Sequence, residues 1–257
     1  MRPRTTIIAL ILGALLVIGC SGNGNSGNRA ASTTGAAHPS VSVDPTATAD
    51  AIELLRKGTT FVDETSFRTD VDIAGQIATM GHVDNLRKRA DATITNNGAT
   101  AAEIRMVDDD IYLKLAAPGF GDAWLILDPA KVPAGFALSF ERGRNDPGGS
   151  ARLINAIVSA RASGKEISGT LDASKVGTGN GISFKPPANG TFPESTKNQP
   201  FRATLDDQGR LVSFVIPRAN DFPSASLRYS EFGIAVRVVR PSGAATAPEA
   251  LYAQLGM

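Results

Sequence analysis

Thiols and imidazoles are almost absent from this chain. Of its 257 residues one is cysteine and two are histidine. A structural disulfide needs two thiols, so none forms within the chain, and a thiolate metal site has no ligand set. His38 lies in a small polar stretch, which leaves His82 as the one imidazole in the folded part and gives a Ser-His-Asp triad little support. A dominant sign of charge is missing too. Lys and Arg number 26 against 25 acidic residues, and nucleic-acid affinity requires a concentrated positive field. Large aromatics are sparse, with one tryptophan in the whole sequence. No cofactor is implied by these residues, and no nucleophile–base pair can be named, so an enzyme is not the expectation.

Long apolar runs are also lacking, apart from one. After Arg2 and Arg4, residues 7–18 carry no charge, and Ser, Gly and Asn follow Cys20. The run is too short to cross a bilayer comfortably, and its order of basic, apolar and small residues marks an export signal. Val17, three residues before Cys20, and Gly19 directly before it resemble the bacterial lipobox. That resemblance implies cleavage after residue 19 and a diacylglycerol on the Cys20 sulfur. Loss of Arg2 and Arg4 would leave about 24 basic against 25 acidic residues. Residues 1–19 are thus expected to be a lipoprotein signal peptide and 20–48 a lipidated, disordered tether. Residues 49–257 are long enough for one folded domain. A flexible coil of about 25 residues spans roughly 25–30 Å r.m.s., which would hold that domain near the extracytoplasmic face of the cell membrane.

The domain opens with Ile52, Leu54, Leu55, Phe61 and Val62 at helical spacing behind Asp50 as N-cap. From Phe67 to Ile77 apolar and polar residues alternate, the period of a half-buried strand. Gly81 to Asn85 reads as a turn, Leu86 to Thr95 as a second strand, and Asn96-Asn97-Gly98 as a hairpin turn. Strand, acidic turn and strand recur over Glu103 to Leu115, and Trp124 to Leu127 adds another strand. Arg142 to Ser150 is a Gly- and Asp-rich loop. Leu153, Ile154, Ile157 and Val158 then form one stripe of a helix over 151–161. Strands resume at Glu166–Leu171, Phe201–Leu205, Leu211–Ile216, Ser224–Ser230 and Gly233–Val239, before a short helix over 248–255. Short strands joined by tight turns make an antiparallel meander, because parallel strands need long crossovers. The expected fold class is α+β: one curved antiparallel half-barrel sheet with two or three helices on its concave face.

Few side chains stand out as a site. Asp108-Asp109-Asp110 and Asp206-Asp207 invite a hard cation, yet consecutive carboxylates in a tight turn point apart, which suits a solvated hairpin. Gly177, Gly179 and Gly181 lack the GKS/T ending of a phosphate loop, and Lys175 to Gly181 reads as a flexible loop. Arg87, Lys88, Arg89, Arg202 and Arg237 fit the wet face, and Trp124 fits the core or a cavity wall. The dry face is rich in Val, Ile, Ala and Leu. Two readings follow from that. Either the interior packs at ordinary density, or modest side chains leave an apolar space beneath the helices.

Three stretches, in order along the chain, resemble a known family. Asp110-Ile111-Tyr112-Leu113-Lys114-Leu115 with Ala123-Trp124-Leu125 is similar to a hairpin of the actinobacterial LppX/LprG-type lipoproteins. Gly169-Thr170-Leu171-Asp172 with Val176 is similar to their central strand. Tyr229-Ser230-Glu231-Phe232-Gly233, ahead of Val236 and Val238, is similar to the segment that closes their sheet. The resemblance implies a LolA-like half-barrel and a non-enzymatic carrier of acylated lipids or glycolipids in the cell envelope. It further implies membrane attachment through the acylated Cys20 and an envelope lipid transporter as candidate partner, with a monomer as the expected state. Leu54, Leu55 and Phe61, the strand residues Val71, Ile73 and Ile77, and Leu153, Ile154 and Ile157 would then line the cavity. The alternative is a closed-core interaction or sensor lipoprotein with no lipid cargo.

Overall fold

The computed structural model describes residues 44–133, 136, 138–141, 146–177, 179–184, 186, 190–220, 222–255 and 257. Cys20, the signal peptide and nearly all of the expected tether lie outside the described residues.

Helix α1, Pro45–Lys57, starts earlier than Asp50. Asp44 is the N-cap, its carboxylate accepting the Thr46 and Ala47 N–H groups at 2.9 and 3.3 Å. Pro45 occupies the first turn, where its missing N–H costs nothing. Asp50 is an exposed residue inside the helix. Phe61 and Val62 do not continue α1 but belong to a separate 3-10 turn, Thr60–Asp63.

The sheet then builds in chain order. Strands β1 (Phe67–Ile73), β2 (Ile77–Asp84), β3 (Arg89–Asn96), β4 (Ala99–Val107), β5 (Asp110–Leu115) and β6 (Leu125–Ile126) form the first run. Helix α2 (Ser150–Asn155) leads into β7 (Ile157–Ser163) and β8 (Glu166–Leu171), and α3 (Ala173–Val176) follows. Strands β9 (Gln199–Leu205), β10 (Leu211–Ile216) and β11 (Ala225–Ser230) precede β12 (Ala245–Thr246) and helix α4 (Glu249–Leu255). All twelve strands lie in one open, curved sheet in the order β12-β6-β5-β4-β3-β2-β1-β11-β10-β9-β8-β7. Every neighbouring pair is antiparallel except the two-residue β12–β6 contact. The fold is therefore the expected α+β half-barrel.

Alternation decides which face is dry. Along β1, Phe67, Thr69, Val71 and Ile73 are buried, while Arg68, Asp70 and Asp72 face outward. The register carries this across the sheet, with Val71 opposite Leu227 on one side and Thr79 on the other. Helix α1 lies against β7 and α2, burying Ala51 and Leu55. Thr48 Oγ1 accepts the Ala160 N–H at 3.2 Å and donates to the Ala160 carbonyl at 3.3 Å, sealing that point of the β7 edge.

Three local expectations are corrected. The helix over 151–161 ends at Asn155, and Ile157 and Val158 begin a strand, in keeping with the strand preference of β-branched residues. Gly81 sits inside β2 opposite Ala92, and the turn comes later, over 85–88. Residues 233–239 keep an alternating burial pattern but form no ladder. They run as an extended strap past the sheet, with the Arg105 guanidinium donating to the Val239 carbonyl at 3.5 Å.

Candidate functional site

The two halves of the concave face are filled differently. On the half made by β7–β11 and β1, α1 and α2 press Leu55, Leu153 and Ile154 into a solid interior. Phe61, Phe67, Tyr229 and Phe232 meet edge-on with ring centroids 4.8–5.5 Å apart. Phe201 stacks on Phe214 at 4.9 Å. On the other half, over β2–β5, the roof is made by Val132, Pro133, Phe136, Leu138 and Phe140, and the space under it is incompletely filled.

Two hollows result. The outer one is about 320 Å³, floored by Met106, Ile111 and Leu127 and roofed by Val132, Phe136 and Phe140. The inner one is about 70 Å³, walled by Val71, Ile73, Ile77 and Ile104 and roofed by Pro147 and Gly179 to Gly181. Met106 and Leu138 belong to the walls of both. An engineered apolar cavity of about 150 Å³ admits benzene, or roughly 25 Å³ per carbon. By that measure the outer hollow takes about a dozen carbons and the inner one fewer than three. The outer volume lies at the lower end of small-molecule sites, roughly 300–1,000 Å³. It suits one aliphatic chain and is too small for a whole diacylated lipid.

The wall of the outer hollow carries charge at Lys88, Asp108, Asp109 and Glu141. Lys88 Nζ meets Asp109 Oδ1 at 2.8 Å. Asp108 accepts from Arg89 at 2.7 Å and from Arg240 at 2.7 Å, and Arg240 also reaches Asp110 at 3.0 Å. Hydrogen bonds from Arg89 and then Arg240 hold the Asp108 carboxyl below its ordinary range. The acidic turn is therefore an ion-paired hairpin that fastens the 231–244 strap to the rim. Trp124 departs from expectation: it is half-buried, with the Arg105 guanidinium 4.6 Å above its ring.

Two half-buried polar assemblies hold the roof of the inner hollow. Asp146 accepts the Tyr229 hydroxyl at 2.5 Å, the Ser150 hydroxyl and N–H at 2.6 Å, and the Gly148 N–H at 3.0 Å. Burial, reinforced by the Asp146 charge, pushes the Tyr229 phenol well above its ordinary pKa. Arg152 donates to the carbonyls of Val176 at 3.0 Å and Ile182 at 3.3 Å, and to that of Asn180. Burial draws its pKa down, but a guanidinium remains charged. The carbonyl oxygens take the place of water around the cation. Of the loop read from sequence as flexible, Lys175 to Gly181, the residues Lys175 and Val176 instead belong to α3, and Asn180 is pinned by Arg152, as is Ile182 just beyond.

The expected lining residues separate into two groups. Val71, Ile73 and Ile77 do face the inner hollow. Leu55, Phe61, Leu153 and Ile154 are packed into the solid half, Ile157 is half-buried at the start of β7, and Leu54 is 40 % exposed. None of these six lines either hollow. Sequence reasoning passed over the roof. Its signal is the spacing of Phe136, Leu138 and Phe140 at every second position after Val132-Pro133, apolar residues inside a Pro- and Gly-containing connection. Elsewhere, His82 Nδ1 lies 3.1 Å from Asp91 Oδ1 on the polar face. Among the described residues no group of three or more His, Cys, Asp or Glu side chains is placed to hold a metal ion. No described helix is long and apolar enough to cross a membrane.

No protein-family model and no curated protein matches the chain. Several solved structures are similar to it. The lipoprotein LppX of Mycobacterium tuberculosis is 17% identical over 74% of this chain and 99% of its own, with a TM-score of 0.43. An uncharacterized conserved protein from Thermus thermophilus is 9% identical over 77% of this chain and 97% of its own, with a TM-score of 0.37. MucB, solved in complex with MucA(peri), is 10% identical over 80% of this chain and 58% of its own, with a TM-score of 0.29.

Proposed function

We propose that this protein is a non-enzymatic lipid binder of the cell envelope, taking one aliphatic chain into the outer hollow while Cys20 tethers it to the membrane. The observation that carries the reading is the 320 Å³ space between β4–β5 and the roof residues Val132, Phe136, Leu138 and Phe140, with Lys88, Asp108, Asp109 and Glu141 also at its wall. Burying about a dozen methylenes is worth roughly 10 kcal/mol gross. Association costs of at least about 4 kcal/mol leave at most about 6 kcal/mol, an affinity of tens of micromolar at best. Such binding suits a carrier, which must also release its cargo, and it requires no bond chemistry. The LppX/LprG-type motifs in the sequence support the same class of ligand.

The test is direct. The full chain with Cys20→Ala is purified without detergent, extracted with organic solvent and analysed by mass spectrometry. We expect a lipid carrying an aliphatic chain, recovered above a blank in substoichiometric amount as weak binding requires, and saturable uptake of a twelve-carbon 1-alkanol. A clean extract, together with no uptake of a twelve-carbon 1-alkanol, overturns the reading. That outcome would favour a closed-core interaction lipoprotein, a reading supported by the inner hollow's 70 Å³, too small even for benzene.

A further inference from the structure

We infer that Leu138, backed by Met106, is the stop that sets how long a chain the site accepts. The inference rests on the outer hollow being a single-chain site and goes beyond it by naming what limits the cargo. The two hollows lie on the same stretch of concave face and share two wall residues, Met106 and Leu138. Met106 rises from the floor on β4 and is 4% exposed; Leu138 descends from the roof and is 9% exposed. A chain entering past Phe136 and Phe140 therefore meets these two side chains before it can reach Ile104, Val71 and Ile73. Beyond them the space is apolar but short, about 70 Å³, and closed by Gly179 to Gly181. Ile73, Ile77, Ile94 and Ile104 give most of the inner wall hydrocarbon, with Thr79 and Asp91 beside them.

Of the two, Leu138 is the adjustable one. Met106 is held by ladder pairing to Ala90 and Ile111 on either side, whereas Leu138 belongs to no strand or helix. Truncating Leu138 to alanine removes three carbons from the partition and joins the inner space to the outer. At roughly 25 Å³ per carbon, the two contributions extend the accessible length by about four to six carbons.

The experiment measures affinities of 1-alkanols of eight to sixteen carbons for the full chain with Cys20→Ala, by displacement of a fluorescent apolar probe. With Leu138 present, affinity should rise by about fourfold per methylene to near twelve carbons and then level off. The ratio of sixteen-carbon to twelve-carbon affinity is then close to one. In the Leu138→Ala variant it should exceed tenfold. Leu138→Phe keeps the roof packed and should act the other way, with the plateau reached two or three carbons earlier, so the test stands if the alanine variant does not fold. A plateau at the same length in every variant that melts as a folded protein overturns the inference while leaving the binding site intact. Absence of alkanol binding to the Leu138 protein overturns the inference and the proposed function together.

Discussion

Replacing Gly181 with alanine tests whether the roof over the inner hollow is as tightly fitted as its geometry implies. Gly181 has φ +71, and a Cβ built there falls 2.0 Å from the Gly148 carbonyl oxygen and 2.2 Å from its carbon. Two costs therefore add. Alanine in the left-handed region costs about 1 kcal/mol. The contact with Gly148 forces backbone apart by more than 1 Å, comparable to overpacking a core at about 1–3 kcal/mol. Relief is hard to find, because the 147–149 turn is fastened by Asp146 to the buried Tyr229. We expect a loss of about 2–4 kcal/mol, or a fall of about 1 M in the urea midpoint. Gly243→Ala separates the two costs, since Gly243 has φ +68 and nothing within 4 Å of its would-be Cβ. That variant should lose only about 1 kcal/mol. Equal midpoints for the two variants would refute the tight junction between the 147–149 turn and the 179–182 loop.

Other outcomes follow from the same structure. Leu55→Ala should cost about 2–5 kcal/mol, whereas Leu54→Ala, on the exposed side of α1, should stay within about 0.5 kcal/mol; thermal melts distinguish them. Tyr229 keeps its proton in the folded state, while an unfolded tyrosine ionises near pH 10. The stability this difference contributes is fully present below about pH 10 and is lost as pH climbs above it toward the raised folded value. Tyr229→Phe should therefore flatten the alkaline decline in the urea midpoint; an unchanged slope between pH 9 and 11 would count against the Asp146–Tyr229 pair. Arg152→Met should loosen the 179–182 loop, seen as faster hydrogen exchange there with β9 and β10 unaffected, since three carbonyls lose their donor.

Strands were the most legible part of the fold, because a period of two survives any context in which one face is wet. Glu166 to Leu171 and Leu211 to Ile216 fall where alternation puts them, whereas Phe67 to Ile77, read as one strand, is a hairpin: β1 ends at Ile73, residues 74–76 turn, and Ile77 begins β2. The same signal misled at 233–239, where Ile234, Val236 and Val238 are half-buried on alternate positions without joining the ladder. Alternation reports a dry side, and a strap has one as surely as a strand does. The stripe through Leu153, Ile154, Ile157 and Val158 misled differently. Its first half is one helical turn capped against α3, and its second half is the edge strand β7, a change of period inside a single apolar run.

The candidate site was half legible. Val71, Ile73 and Ile77 could be identified as inward-facing from β1 and β2 alone. The position of the open space could not, because it depends on which half of the sheet the helices cover. Leu55 and Leu153 fill the space they were expected to frame, and the outer hollow lies away from α1 and α2. Phe136, Leu138 and Phe140 sit in a connection rich in Pro and Gly, and sequence periodicity assigns such connections to the surface. Only long-range contacts bring them over Met106 and Ile111.

The most direct measurement is to ask which half of the half-barrel touches the ligand. A twelve-carbon alcohol bearing a terminal diazirine is bound to the full chain with Cys20→Ala, photolysed, and the labelled peptides are sequenced by mass spectrometry. The account predicts labels on Met106, Ile111 and Leu127 and on the roof residues Phe136 to Phe140. Labels on α1 and α2, around Leu55, Leu153 and Ile154, or no specific label at all, would contradict it.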